Sequence, residues 1–176
     1  MVTDPDPGSC GLAHGEPRPD GGQDPVRTLV AVFASPVSER LLSYARDLGY
    51  RPVLVEPDAE RAAGVRSPGV EVTGVVPELD EAAEFVVTDH HRPELGGLLR
   101  DALAYPARWI GIMGNPRHEG PHVAALTELG VAEAEIARVH RPVGLNIGSR
   151  TPAEIAVATI AGLIADRNGR PGGFTF

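Results

Sequence analysis

Four short apolar runs recur along this chain, and none of them alternates polar with apolar residues. They are Thr28-Leu-Val-Ala-Val-Phe-Ala, Arg51-Pro-Val-Leu-Val-Glu, Glu84-Phe-Val-Val-Thr and Arg108-Trp-Ile-Gly-Ile-Met-Gly. A strand that is apolar on both faces is stable only between two covering layers. The segments between the runs carry the helix signals that supply those layers. After the first run, Ser35 is suited to cap a helix and Pro36 fits the first helical position, where no N–H is needed. Val37, Leu41, Ala45 and Leu48 then fall on one stripe, and Gly49 stops the helix. Strand, helix and strand fill about 30 residues, the size of a βαβ unit, for which a right-handed parallel crossover is the default. The repetition predicts an α/β fold: a Rossmann-like, doubly wound, mainly parallel sheet with helices on both faces.

The remaining elements carry weaker signals, except the last. Residues 57–83 are rich in turn formers, with a short edge strand expected at 70–73 and a short helix at 77–83. A helix over 93–103 follows the third run. Asn115 as a cap and Pro116 after it predict a helix from there to near Gly130, and 132–138 reads as a short amphipathic turn. Thr151, Pro152 and Glu154 make a capping box with proline at the first helical position, so a final helix is expected to run to about Arg167. Only Thr159 is polar between Ile155 and Ala165, so both faces are expected to be buried, within the domain or against a second subunit. Residues 1–27 hold five prolines and five glycines with almost no large apolar residue, which predicts a disordered tail. Residues 168–176 read as a frayed end. One Rossmann-like domain over 28–167 is what a chain of 176 residues accommodates.

Composition narrows the chemistry. The formal charge is -8, with 24 acidic residues against 16 basic ones, which argues against a nucleic-acid partner. Every basic residue is arginine. Without lysine there is no Walker phosphate loop and no Schiff-base chemistry. The one cysteine, Cys10, lies in the expected tail, so no internal disulfide, cysteine zinc site or buried thiolate is available. No signal peptide or long apolar run is present, so no membrane association and a soluble cytoplasmic protein are expected.

In a parallel sheet, ligands gather beyond the carboxyl ends of the strands. The first such turn should carry Gly-x-Gly-x-x-Gly if the chain bound a dinucleotide. It reads Ala34-Ser-Pro-Val-Ser-Glu39 instead, although Glu56 stands about 20 residues on, where a ribose-binding acid belongs. NAD(P) binding is therefore the lesser expectation, and Glu56 reads as a polar strand end. The third run ends in Asp89-His-His-Arg92, which makes Asp89 and His91 candidate cofactor contacts and a metal site an unfavoured one. At the fourth, Gly114 allows close approach of a ligand, and Asn115 and Arg117 sit by an expected helix start. His118 and His122 have metal-pair spacing, but Gly120-Pro121 between them disturbs the helix. Gly148, Ser149, Arg150 and Thr151 converge on the start of the last helix, a second candidate anion pocket.

Phe85-Val-Val-Thr, Trp109-Ile-Gly-Ile-Met-Gly and Arg141-Pro-Val-Gly-Leu-Asn-Ile-Gly-Ser-Arg-Thr-Pro-Ala-Glu-Ile-Ala-Val occur in that order. This succession resembles the C-terminal Rossmann domain of the XdhC/CoxI family, most closely from Phe85 onward. The resemblance implies an accessory protein for molybdenum hydroxylases of the xanthine dehydrogenase or carbon monoxide dehydrogenase type, a chaperone or insertion factor without turnover. Such proteins bind the molybdenum cofactor, molybdopterin, and deliver it to the apo-enzyme, and they tend to be dimers. On that reading Gly114, Asn115 and Arg117, and Gly148 to Thr151, would hold the phosphate-bearing cofactor. Full-length members also have an N-terminal domain, so a separate N-terminal-type protein is an implied partner beside the apo molybdenum hydroxylase. The family's usual Gly-Ser-Arg after the middle strand is Gly114-Asn115-Pro116 here, with the arginine at Arg117. An NAD(P)-dependent oxidoreductase and a non-catalytic interaction subunit of a molybdoenzyme assembly are the alternatives.

Overall fold

The computed structural model of the chain describes residues 26–114, 117 and 120–173. The expected tail lies outside these residues up to position 25, with Cys10 in it, as do Asn115, Pro116 and His118. Six strands form one sheet: β1 (Thr28–Val32), β2 (Arg51–Val55), β3 (Glu71–Thr73), β4 (Glu84–Val87), β5 (Trp109–Ile112) and β6 (Val139–His140). Their order is β3-β2-β1-β4-β5-β6, and each neighbouring pair is parallel. This is the strand order of the Rossmann fold, with its topological switch between β1 and β4. The four apolar runs supply β1, β2, β4 and β5, and apart from the exposed Arg51 and half-buried Thr28 these strands are buried throughout. β3 is an edge strand, as residues 70–73 predict. β6 is two residues long, too short for periodicity to reveal.

Helices cover both faces. On one side α1 (Pro36–Asp47) and the final helix, α6 (Pro152–Arg167), pack together over Leu29, Ala31, Leu54, Val86 and Trp109. On the other, α3 (Leu95–Leu103) and α4 (Pro121–Glu128) cover Val30, Val53, Phe85 and Ile110. Two short helices, α2 (Ala59–Gly64) and α5 (Glu133–Ile136), complete the elements among the described residues. Leu41, Leu42 and Ala45 form the buried stripe of α1.

Three expectations are corrected. The stretch 77–83 is not helical; it enters β4 as a turn, and Leu79 and Ala83 plug the core as single anchors. α2 falls within residues read only as turns, held by Asp58, whose carboxylate accepts from the N–H groups of Glu60 and Arg61. α4 starts at Pro121, with Gly120 as its cap, so Arg117 precedes the helix instead of lying in its first turn. Within the domain α6 buries Ala156, Ala158, Thr159, Ile160 and Leu163 and leaves Val157 46% exposed, so of the two coverings expected for its apolar faces the domain supplies one. Thr159 is silenced by donating to the Ile155 carbonyl at 2.8 Å. Glycine is required where this helix meets the loop before it. A Cβ on Gly144, whose φ is +87°, would lie 2.9 Å from the backbone of Ala158, and one on Gly162 would lie 2.9 Å from Gly144. Beyond α6 the chain turns back so that Gly172 packs against Leu145.

Candidate functional site

The turn after β1 is where a Rossmann sheet presents backbone N–H groups to a ligand. Here the chain satisfies them itself. Ser35 and Ser38 form a reciprocal capping box: the Ser38 N–H donates to Ser35 Oγ at 3.1 Å, and the Ser35 N–H donates to Ser38 Oγ at 2.9 Å. The Ala34 N–H donates to Glu56 Oε2 at 2.8 Å. Glu56 is only 1% exposed, and its other oxygen accepts from the Asp58 N–H at 3.1 Å and from Arg92 Nη2 at 3.2 Å. A buried carboxylate is tolerated only with such donors. Arg92 lies 4.7 Å from the centre of the Phe33 ring and also pairs with Glu94 at 2.9 Å. Phe33 has φ +72°, a left-handed conformation that a non-glycine residue rarely adopts. Its buried ring holds it there. Ser35 and Thr88 join the β1 and β4 ends, their hydroxyls 3.2 Å apart, and Thr88 donates to the Val32 carbonyl at 2.8 Å. A pyrophosphate at this turn would have to displace this network.

The start of α6 is filled in the same way. Thr151 Oγ1 accepts from the Glu154 N–H at 3.3 Å, and Glu154 Oε2 accepts from the N–H groups of Arg150 at 2.7 Å and Thr151 at 3.1 Å. The Arg150 N–H, then that of Thr151, hold the Glu154 carboxyl below the usual carboxylate range. The capping box is thus present as the sequence predicts, but the N–H groups offered to a ligand anion meet Glu154. The Arg150 side chain is exposed, Ser149 is half-buried, and Gly148 turns the chain at φ +70°.

The carboxyl ends of β4, β5 and β6 are different. Asp89 is half-buried and its Oδ1 accepts from the His91 N–H at 2.9 Å, which folds the loop. His91 is exposed, and its ring lies 4.0 Å from that of His90. Arg141 leaves β6 and packs against two glycines. A Cβ on Gly114 would lie 2.9 Å from Arg141 Nε; one on Gly120 would lie 2.4 Å from the His122 ring and 3.3 Å from Arg141 Cδ. Only glycine at these two positions leaves room for both side chains. His122 is 6% exposed, and its Nδ1 has no hydrogen-bond partner among the described residues. Burial, and then the Arg141 charge, hold His122 below the usual imidazole range. Burial lowers His90 as well, with His91 next. The cluster is therefore a guanidinium beside two imidazoles that favour the neutral form. Asp89, His91 and Gly114 from the sequence lie in the loops of this edge, and Arg117 is in an exposed turn beyond Gly114. The sequence reading misses Arg141, His90 and His122. Placing Arg141 depends on seeing β6, and His122 reads as disturbed helix until α4 is found to begin at Pro121. Among the described residues no group of three His, Cys, Asp or Glu side chains could hold a metal ion.

The model of the XdhC Rossmann domain matches residues 29–163. The chain belongs to the XdhC Rossmann domain family. It is also similar to the uncharacterized protein YqeB of Escherichia coli K12, at 44% identity over 71 residues, which are 40% of this chain and 13% of that protein. A crystal structure described as a xanthine dehydrogenase from Bacillus halodurans superposes with a TM-score of 0.66 at 20% identity, over 83% of this chain and 46% of that one. At that identity the likeness is one of fold. The chain covers less than half of that solved chain and a small part of YqeB.

The amino-terminal edge of this XdhC domain is a polar clamp with its partners in place. Glu84 is wholly buried, and Oε1 accepts from Arg108 Nη2 at 2.7 Å and Nε at 3.0 Å. Arg108 also reaches Asp166 at the end of α6 at 2.7 Å. The Tyr50 hydroxyl donates to Glu84 Oε2 at 3.2 Å and accepts from Arg167 Nη1 at 2.7 Å. Burial, then the Glu84 charge, push the Tyr50 phenol up. This network fastens the carboxyl end of α6 to the amino-terminal edge of the sheet. Among the described residues no helix is long and apolar enough to cross a membrane.

Proposed function

We propose that this XdhC domain is an accessory module of a molybdenum hydroxylase that holds the molybdenum cofactor at the carboxyl edge of β4, β5 and β6 and passes it to the apo-enzyme. The observation that carries the reading is the buried His122 Nδ1, without a partner among the described residues, packed with Arg141 in the room that Gly114 and Gly120 leave. Buried polar atoms of native proteins are paired, so an orphan at a ligand-binding edge marks a group waiting for one. The residues fit the cofactor's outer groups. Arg141, with Arg117 in the turn beyond Gly114, suits a terminal phosphate, and a neutral imidazole suits the hydrogen-bonding edge of a pterin. With no group of metal-ligating side chains among the described residues, the metal would stay with its pterin. When bound, the cofactor supplies the molybdenum centre that the acceptor enzyme uses. The chain's part is to bind, to orient and to exclude water. Arg150 at the closed start of α6 is the weaker candidate for the same phosphate, and NAD(P) the weaker cofactor.

A second face supports partner binding. Val157 on α6 is 46% exposed and Ile147 in the loop before it 54%. Exposed apolar side chains suit a homodimer, the acceptor enzyme or a separate N-terminal-type protein. The test is anaerobic purification from cells that make the cofactor, with molybdenum and pterin fluorescence measured per chain. Near-stoichiometric cofactor in the parent chain, lost in Arg141→Glu and kept in Arg150→Glu, is the expected result. Empty protein that takes up no added cofactor would overturn the reading.

A further inference from the structure

We propose that the cavity between the start of α1, the end of β2 and α2 is a binding pocket for a mononucleotide-sized anion with a flat apolar body. It goes beyond the cofactor reading above and uses a different surface, so neither depends on the other. The cavity has a volume of about 410 Å³, within the range of small-molecule sites. Its floor is apolar, built from Leu42, Leu54 and Val65. Its outer wall carries two guanidinium groups. Arg66 donates from Nη1 to the Ala63 carbonyl at 2.6 Å and the Val65 carbonyl at 3.2 Å, which fixes the side chain without neutralising it. Among the described residues no carboxylate pairs with it. Arg61 has only a loose approach to Asp58, at 3.9 Å. An apolar floor with a fixed cationic rim selects a ligand with a flat body and one anionic group.

The inner wall sets the length of that ligand. Ser35 and Ser38 line the cavity on the side of the switch point, and their N–H groups are spent on each other. The next donor, the Ala34 N–H, is spent on Glu56. A dinucleotide would need this turn for its pyrophosphate and the acid after β2 for its ribose, and Glu56 is buried behind it. A ligand ending at the turn avoids both. Glu39 stands on the α1 side of the same cavity, so the anionic group belongs on the α2 side, with Arg66 and Arg61.

The experiment titrates the whole chain by calorimetry with AMP, GMP, CMP, UMP, adenosine, inorganic phosphate and NAD+. At least one monophosphate should bind, more tightly than adenosine or phosphate alone and no more weakly than NAD+. Arg66→Glu should weaken it by about tenfold or more, the scale of one charge-assisted contact. Gly64→Phe, which adds bulk where a Cβ meets nothing within 4 Å, should block it, and Glu39→Gln should tighten it. Unchanged far-UV circular dichroism shows that these surface variants fold. No heat or saturation with any monophosphate at about 5 mM, a concentration that would reveal even millimolar affinity, overturns the proposal. So does adenosine binding as tightly as AMP, a monophosphate affinity indifferent to both Arg66→Glu and Gly64→Phe, or a clear preference for NAD+.

Discussion

Two glutamates are buried at opposite edges of the same sheet, and their surroundings differ. Glu84, at the amino-terminal edge, joins Arg108, Tyr50, Arg167 and Asp166 in a network whose buried polar atoms all have partners. Glu56, at the carboxyl-terminal edge, satisfies its own oxygens, yet among the described residues the buried Nη1 of its partner Arg92 has no hydrogen bond, and neither does His122 Nδ1. Both orphaned atoms lie on the side where parallel sheets bind ligands. The amino edge holds the fold together, and the carboxyl edge is where the proposed cofactor would bind. Low local dielectric makes both choices costly to disturb, but in different ways.

Breaking the clamp should have the largest effect. Arg108→Ala leaves Glu84 buried without its cation and should cost about 3–5 kcal/mol in urea unfolding. Glu56→Ala frees the Ala34 and Asp58 N–H groups and should cost about 1–3 kcal/mol, with most of the loss felt as a loosened β1–α1 turn in hydrogen exchange. If the two variants were equally destabilising, the contrast between the edges would fail. Ser35→Ala removes one half of a capping box and should cost about 1 kcal/mol in the same unfolding assay.

His122→Leu sharpens the comparison most, through the smallest change. Replacing an unpartnered buried imidazole with an apolar side chain of similar size should alter stability at pH 7.5 by less than about 0.5 kcal/mol, while cofactor retention falls. Its pH dependence should change too. The His122 pKa is held below 6.5, so the unfolded chain takes the proton more readily than the folded one. Stability from the neutral ring is complete above pH 6.5 and is lost as pH falls from there through the lower folded pKa. Unfolding curves between pH 7.5 and pH 5 should therefore fall less steeply in His122→Leu than in the parent, with His90 supplying the remainder. An unchanged slope would show that folding does not shift the His122 pKa.

The sequence by itself determined the layered parallel sheet and its strongest helices. Continuous apolar runs can be buried on two faces only one way, and Ser35-Pro36 and Thr151-Pro152-Ala-Glu154 cap helices through contacts three residues away. Those are local interactions, so their residue spacing is enough to read them. Tertiary structure alone decided where the polar side chains ended up. Glu56 reaches across to Ala34 and Arg92, Arg141 lies between Gly114 and Gly120, and Glu154 takes the N–H groups that Arg150 and Thr151 offer. Each pairing joins groups brought together by strand order, and a strand as short as Val139–His140 leaves no periodic trace of that order. The burial of α6 divides in the same way: apolar composition states what a helix can cover, and only the sheet beside it states which face the domain covers.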